Sequence, residues 1–104
     1  MANYLLAYRG GGMAETDAER EAAMAAWGSW FGSLGDAVAD AGNPFGASTS
    51  LAGGQSGNGA ASSGLTGYSV LRADSIQAAA ELAKGCPILP NGGSVDIYEA
   101  IEVM

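Results

Sequence analysis

The stretch from Gly67 to Val103 constrains the fold most, because it reads as strand, helix, strand with a boundary marker at each join. Gly67-Tyr-Ser-Val-Leu-Arg-Ala precedes Asp74-Ser-Ile-Gln-Ala-Ala-Ala-Glu-Leu-Ala-Lys-Gly, and Ser94-Val-Asp-Ile-Tyr-Glu-Ala-Ile-Glu-Val follows. Asp74 is the expected N-cap of the helix, with Gln77 completing a capping box. Ile76, Ala79, Ala80, Leu82 and Ala83 then share one side at helical spacing. Lys84 falls where the helix dipole favours a cation, Gly85 is placed to close the helix in a left-handed conformation, and Pro87 blocks continuation. The flanking segments have period two. Tyr68, Val70 and Arg72 oppose Ser69, Leu71 and Ala73. In the last strand Val95, Ile97, Ile101 and Val103 share a face that Glu99 interrupts. A β-bulge turning Glu99 outward is the expected resolution, and a Glu99 carboxylate paired on that face is the alternative.

The first half of the chain supplies the remaining elements. Asn3–Arg9 is a short strand with Tyr4, Leu6 and Tyr8 on one face and Leu5 and Ala7 on the other. Apolar residues on both faces mark a strand covered on both sides. Gly10-Gly-Gly12 lacks a phosphate-loop pattern and reads as a connector. A long helix is expected from Thr16, capped by Thr16 and Glu19 and carrying the stripe Ala23, Trp27, Trp30, Leu34, Val38 and Ala41, widened by Phe31. Gly28, Gly32 and Gly35 each cost such a helix about 1 kcal/mol relative to Ala, which implies close approach to a neighbour or a kink near Gly35. Gly42-Asn-Pro-Phe-Gly ends the helix, and Phe45–Leu51 is a weak second strand. Residues 52–64 form a Gly/Ser-rich segment, read as a flexible hairpin connection with a mobile flap as the alternative.

The order strand, helix, strand, strand, helix, strand fits a ferredoxin-like βαββαβ domain of the α+β class, spanning residues 1–104 as one unit, with an antiparallel sheet and both helices on one face. The other sheet face also carries apolar residues. A second copy of the chain laying its sheet there is the simplest cover, so a homodimer is expected.

Charge and composition exclude several roles. Four basic and eleven acidic residues give a net charge of −7, which argues against nucleic acid and anionic membrane surfaces as partners. The chain has no histidine and one cysteine. Ser-His-Asp and Cys-His mechanisms, histidine zinc sites and thiolate zinc clusters therefore have no residues to build them, and neither a metal nor a cofactor is expected. Cys86, with only Lys84 as a cationic neighbour, reads as structural. A single cysteine, no basic stretch ahead of a short apolar run and no segment of ~20 apolar residues point to a cytoplasmic protein.

Several segments together resemble the YCII-related proteins of the dimeric α+β barrel superfamily. They are Met24-Ala-Ala-Trp-Gly-Ser-Trp-Phe, Gly42-Asn-Pro, Gly67-Tyr-Ser-Val-Leu-Arg-Ala-Asp-Ser, Ala-Glu-Leu-Ala-Lys-Gly-Cys-Pro ending at Pro87, and Gly92-Gly-Ser-Val-Asp-Ile. The resemblance implies a ferredoxin-like protomer and a dimer with facing sheets. It implies no site here, because the His–Asp pair and the Asp-Gly-Pro-Phe motif of some members are both missing, so no catalytic residue is assigned.

The side chains left to contact a small organic molecule are Tyr8, Arg9, Trp27, Trp30, Tyr68, Arg72 and Glu99, with Tyr4 nearby in the first strand. An arginine at the mouth of an aromatic cavity suits a small carboxylate. The plainer reading pairs each arginine with an acidic neighbour and packs the tryptophans between helix and sheet. The expectation is thus a small homodimeric domain that binds a small molecule. An enzyme acting on a small organic acid and a purely self-associating protein are the alternatives.

Overall fold

The computed structural model describes residues 2–11, 15–51 and 64–101. The elements are β1 (Ala2–Arg9), α1 (Asp17–Leu34), β2 (Val38–Asp40), β3 (Leu65–Ala73), α2 (Ile76–Ala83) and β4 (Ser94–Ala100), with one 3-10 turn at Gly35–Ala37. The four strands form a single sheet in the order β2-β3-β1-β4, and every pairing is antiparallel. This small α+β architecture is compatible with a ferredoxin-like arrangement.

Register assigns the faces. Tyr4 lies opposite Leu71 and Glu99, Leu6 opposite Ser69 and Ile97, and Tyr8 opposite Gly67 and Val95. Directly opposed residues share a face, so these side chains make one surface, and both helices cover it. Trp30 of α1 and Ala83 of α2 join Leu6, Tyr8, Leu71, Cys86 and Ile88 in one buried cluster, while Ala79 packs with Tyr4 and Ala73 in a second. Leu5, Ala7, Val70 and Tyr98 fall on the opposite face together with Arg9, Arg72, Asp40 and Asp96.

α1 starts as its sequence requires. The Thr16 hydroxyl accepts from the Glu19 N–H at 3.1 Å, and Asp17 and Glu19 occupy the first turn. It ends eight residues before the expected turn at Gly42, because Gly35 takes φ +56° and donates its N–H to the Phe31 carbonyl. That backbone conformation is open to glycine and strained for other residues. Val38 and Ala41 continue the helical spacing of Trp27, Trp30 and Leu34, but Val38 belongs to β2. The kink foreseen near Gly35 is a full stop. Gly28 and Gly32 do not mark close approach, since nothing lies within 4 Å of a Cβ added at either.

The expected second strand, Phe45–Leu51, is replaced by Val38–Asp40. Pro44 makes only an isolated bridge to Gly67, and the Phe45 N–H donates to the Thr66 carbonyl at 2.9 Å. Beyond Phe45 the small polar residues have nothing to bury, and Leu51 is exposed. The Gly/Ser segment, read as hairpin or flap, lies outside the described residues except at Gly64.

Three finer expectations also change. The cap of α2 is Ser75, whose hydroxyl accepts from the Ala78 N–H at 3.1 Å, not Asp74. Gly85 has no left-handed conformation. Its value is its size, because an added Cβ would sit 3.1 Å from Cδ1 of Trp30. β4 pairs with β1 without interruption from Ser94 to Ala100, so no bulge turns Glu99 away. Glu99 stays on the helix-facing side, but β4 is an edge strand and Glu99 is exposed there, which removes the need for one. Ile101 lies past the strand and is exposed.

Candidate functional site

A cavity of about 530 Å³ opens at the end of the sheet where β1 finishes and β3 begins. Four segments wall it. α1 contributes Ala23, Met24, Trp27 and Phe31; the turn after β2 contributes residues 41–44; the starts and ends of the central strands contribute Tyr8, Gly10, Gly11 and residues 66–69; and the segment after α2 contributes Ile88 and Asn91. The turn wall depends on Gly42, which has φ +77° and donates its N–H to Asp40 Oδ1 at 2.9 Å. A Cβ there would run into the Tyr68 carbonyl. Asn43 then accepts from the Tyr68 N–H through its backbone carbonyl.

The aromatic wall is continuous. The rings of Tyr8 and Trp27 meet edge to face at 5.2 Å and 70°, and Phe31 tilts against Trp27 at 5.9 Å. Behind it, the Tyr8 hydroxyl donates to Ser69 Oγ at 2.7 Å, and the Ser69 hydroxyl donates to the Ala41 carbonyl at 2.7 Å. A carbonyl only accepts, so it fixes the direction of both bonds. Ser69 is fully buried, and burial pushes the Tyr8 phenol far above its ordinary pKa. The Cys86 thiol beside Tyr8 is also raised by burial, against smaller opposing effects from the Ile88 backbone and Tyr8. A buried thiol shifted this way is unreactive at neutral pH.

The cavity's chemistry is set by what its lining omits. Among the described residues that line it there is no Asp, Glu, Lys or Arg, although the chain carries fifteen such residues. No described group of three or more His, Cys, Asp or Glu residues is placed to hold a metal ion. No described helix is long and apolar enough to cross a membrane.

No protein-family model and no curated protein matches the chain. The site must therefore be judged by its own residues. Of the expected contact residues, Tyr8 and Trp27 border the cavity from the helix-covered side, and Tyr68 borders it too although its position opposite Ala7 gives its side chain to the far face. The Tyr68 hydroxyl donates to Asp40 at 3.2 Å, and its ring stacks on Phe45. Trp30 is core: it is buried, and its indole N–H donates to the Leu82 carbonyl at 3.1 Å. Arg9 and Arg72 lie on the far sheet face. Arg9 pairs with Asp96 at 3.3 Å, and Arg72 donates to the Asp36 carbonyl at 2.8 Å. Glu99 sits by Tyr4 at the other end of the sheet, where desolvation and then the charges of Glu99 and Asp74 raise the Tyr4 phenol.

Strand parity could have anticipated part of this, since Tyr8 and Arg9 are neighbours in one strand and must face opposite ways. The residues that sequence reading did not propose are Met24, Phe31, Asn43, Thr66, Ser69, Ile88 and Asn91. Ser69 carried a usable signal: a lone hydroxyl on the same face as Leu71 and Ala73 needs a buried partner.

Proposed function

We propose that the protein binds a small, neutral, largely apolar molecule in the cavity beneath Trp27 and Tyr8. The observation that carries this reading is an aromatic cavity of about 530 Å³ without a charged lining residue among those described. Transfer of a carboxylate into such a place has no counter-charge to offset lost hydration, and the net charge of −7 adds repulsion. A small carboxylate held by Arg9 or Arg72 has no support from the geometry. Turnover has little either, because the ionisable group in the wall with a resolved shift, Tyr8, holds its proton more tightly than usual.

The protein acts as a homodimer of ferredoxin-like protomers, as the resemblance to YCII-related proteins suggests. The uncovered sheet face is the docking surface. It combines Leu5, Val70 and the half-exposed Tyr98 with two arginines and two aspartates around the already buried Ala7, so the face is near-neutral on a strongly acidic chain. Two copies can approach there without the repulsion that other surfaces impose. Sedimentation at micromolar concentration should give twice the chain mass of 10.3 kDa, and a strict monomer would refute the pairing.

Titration of tryptophan fluorescence with 2-acetylnaphthalene and 2-naphthoate tests the binding reading. The neutral compound should quench saturably and the carboxylate should bind at least about tenfold more weakly. Absence of saturable quenching by the neutral compound, or equal affinity for the anion, overturns it.

A further inference from the structure

The two tryptophans of α1 differ in one respect that bears on what the cavity takes. Trp30 spends its only polar atom on the Leu82 carbonyl. Trp27, three residues earlier and half-buried in the cavity wall, makes no hydrogen bond through its indole N–H to any described residue. The rings packed on it are Tyr8, Trp30 and Phe31. The Tyr8 hydroxyl spends its proton on Ser69 and takes no bond from the Trp27 indole, and Phe31 has no polar atom in its side chain. Indole is a donor only, and because no buried polar side-chain atom among the described residues lacks a partner, this N–H still meets solvent; a ligand that takes it from water must supply an acceptor. The other hydroxyls of the lining also spend their protons within the fold: Ser69 on the Ala41 carbonyl, Tyr68 on Asp40, and Thr66 on the Tyr8 and Gly10 carbonyls.

We infer that Trp27 donates its indole N–H to a carbonyl oxygen of the ligand, so that the cavity selects neutral aromatic carbonyl compounds over hydrocarbons of the same shape. This rests on the binding reading above and refines it. The aromatic walls supply affinity through buried area and ring contacts. Any ligand that seals the cavity displaces the water on the indole N–H, and one without an acceptor leaves that donor unpaired. The preference is thus a penalty against the wrong ligand as much as a gain for the right one.

The test compares 2-acetylnaphthalene with 2-ethylnaphthalene, which replaces the carbonyl with a methylene. The wild-type protein should prefer the ketone by about fivefold, the worth of one hydrogen bond, and Trp27→Phe should bring the ratio close to one. Equal affinities in the wild type, or a preference that survives in Trp27→Phe, overturn the inference and leave the cavity reading standing. Failure of both compounds to bind removes both. If Trp27→Phe does not fold, the wild type decides by its two indole N–H resonances in a nitrogen-15 spectrum. The ketone should move the Trp27 signal downfield and leave that of Trp30 in place. No such movement at saturating ketone refutes the donor role.

Discussion

Replacing Tyr8 with Phe tests the buried network behind the cavity, because the change deletes one oxygen and keeps the ring against Trp27. At pH 7 the variant loses a 2.7 Å hydrogen bond and leaves the acceptor side of the fully buried Ser69 hydroxyl unfilled. Such a loss costs about 1–2 kcal/mol. At roughly 4–8 °C per kcal/mol for a domain near this size, the melting temperature should fall by about 5–15 °C. The pH dependence is the sharper test. The folded protein holds the Tyr8 proton more tightly than the unfolded chain. Above the ordinary tyrosine pKa near 10, the unfolded chain therefore binds fewer protons, and stability falls as pH rises. The fall is at most about 1.4 kcal/mol per pH unit for one group. The variant has no proton to hold there. Tyr4, also raised, acts on both curves alike, whereas the Cys86 thiol feels the Tyr8 hydroxyl, so both proteins are compared in a Cys86→Ala background. The deficit of Tyr8→Phe should accordingly shrink above pH 10 and vanish about one unit higher. Urea unfolding followed by circular dichroism at pH 7, 9, 10 and 11 measures it. A deficit constant across that range would mean that Tyr8 titrates as a solvated phenol, and the account of a sealed network would fail.

Gly28→Ala and Gly32→Ala should each stabilise the protein by about 0.5–1 kcal/mol, seen as a higher urea midpoint, because both are helical and a Cβ meets nothing within 4 Å. Ser75→Ala should cost about 1 kcal/mol in the same assay while Asp74→Ala costs much less, since the Ser75 hydroxyl holds the Ala78 N–H. The reverse order would restore the cap to Asp74. Gly42→Ala should lose more than about 2 kcal/mol and also weaken 2-acetylnaphthalene binding, because φ +77° and the Tyr68 carbonyl both oppose a Cβ in the turn that walls the cavity. Loss of stability with unchanged affinity would show that the turn is not part of the site.

The parts of this fold that sequence revealed are those whose signals are local. Period two in Tyr68–Ala73 and Ser94–Ile97 needs only neighbouring residues, as does a cap beside a run of alanines, and β3, α2 and β4 stand close to where those signals put them. The end of α1 was hidden because Val38 and Ala41 fall at helical spacing from Trp27, Trp30 and Leu34 by coincidence, whereas the stop is written in one glycine's backbone angle. The cavity was legible only as aromatics. Arginines are scarce in this chain and drew attention for that reason, yet Arg9 and Arg72 hold Asp96 and the Asp36 carbonyl on the opposite face.

Trp27 and Trp30 show why the site, more than the fold, escaped a reading of single residues. Both lie on the same stripe of α1, both are aromatic, and sequence offered the same pair of fates for each. What separates them is supplied by α2 and the residues after it. Leu82 presents a carbonyl to the Trp30 indole, and Gly85, lacking a side chain, lets that ring come close. Among the described residues no equivalent acceptor meets Trp27, which packs on the rings of Tyr8, Trp30 and Phe31 and lines the cavity. A donor that is matched by the fold belongs to stability, and one that the fold leaves unmatched is available to a ligand. Gly85→Ala separates these roles. It should crowd Trp30, lower the melting temperature and alter the Trp30 indole resonance, while the affinity for 2-acetylnaphthalene stays within about twofold. A parallel loss of ligand affinity would mean that the two rings move as one body, and the division between core and cavity along α1 would have to be redrawn.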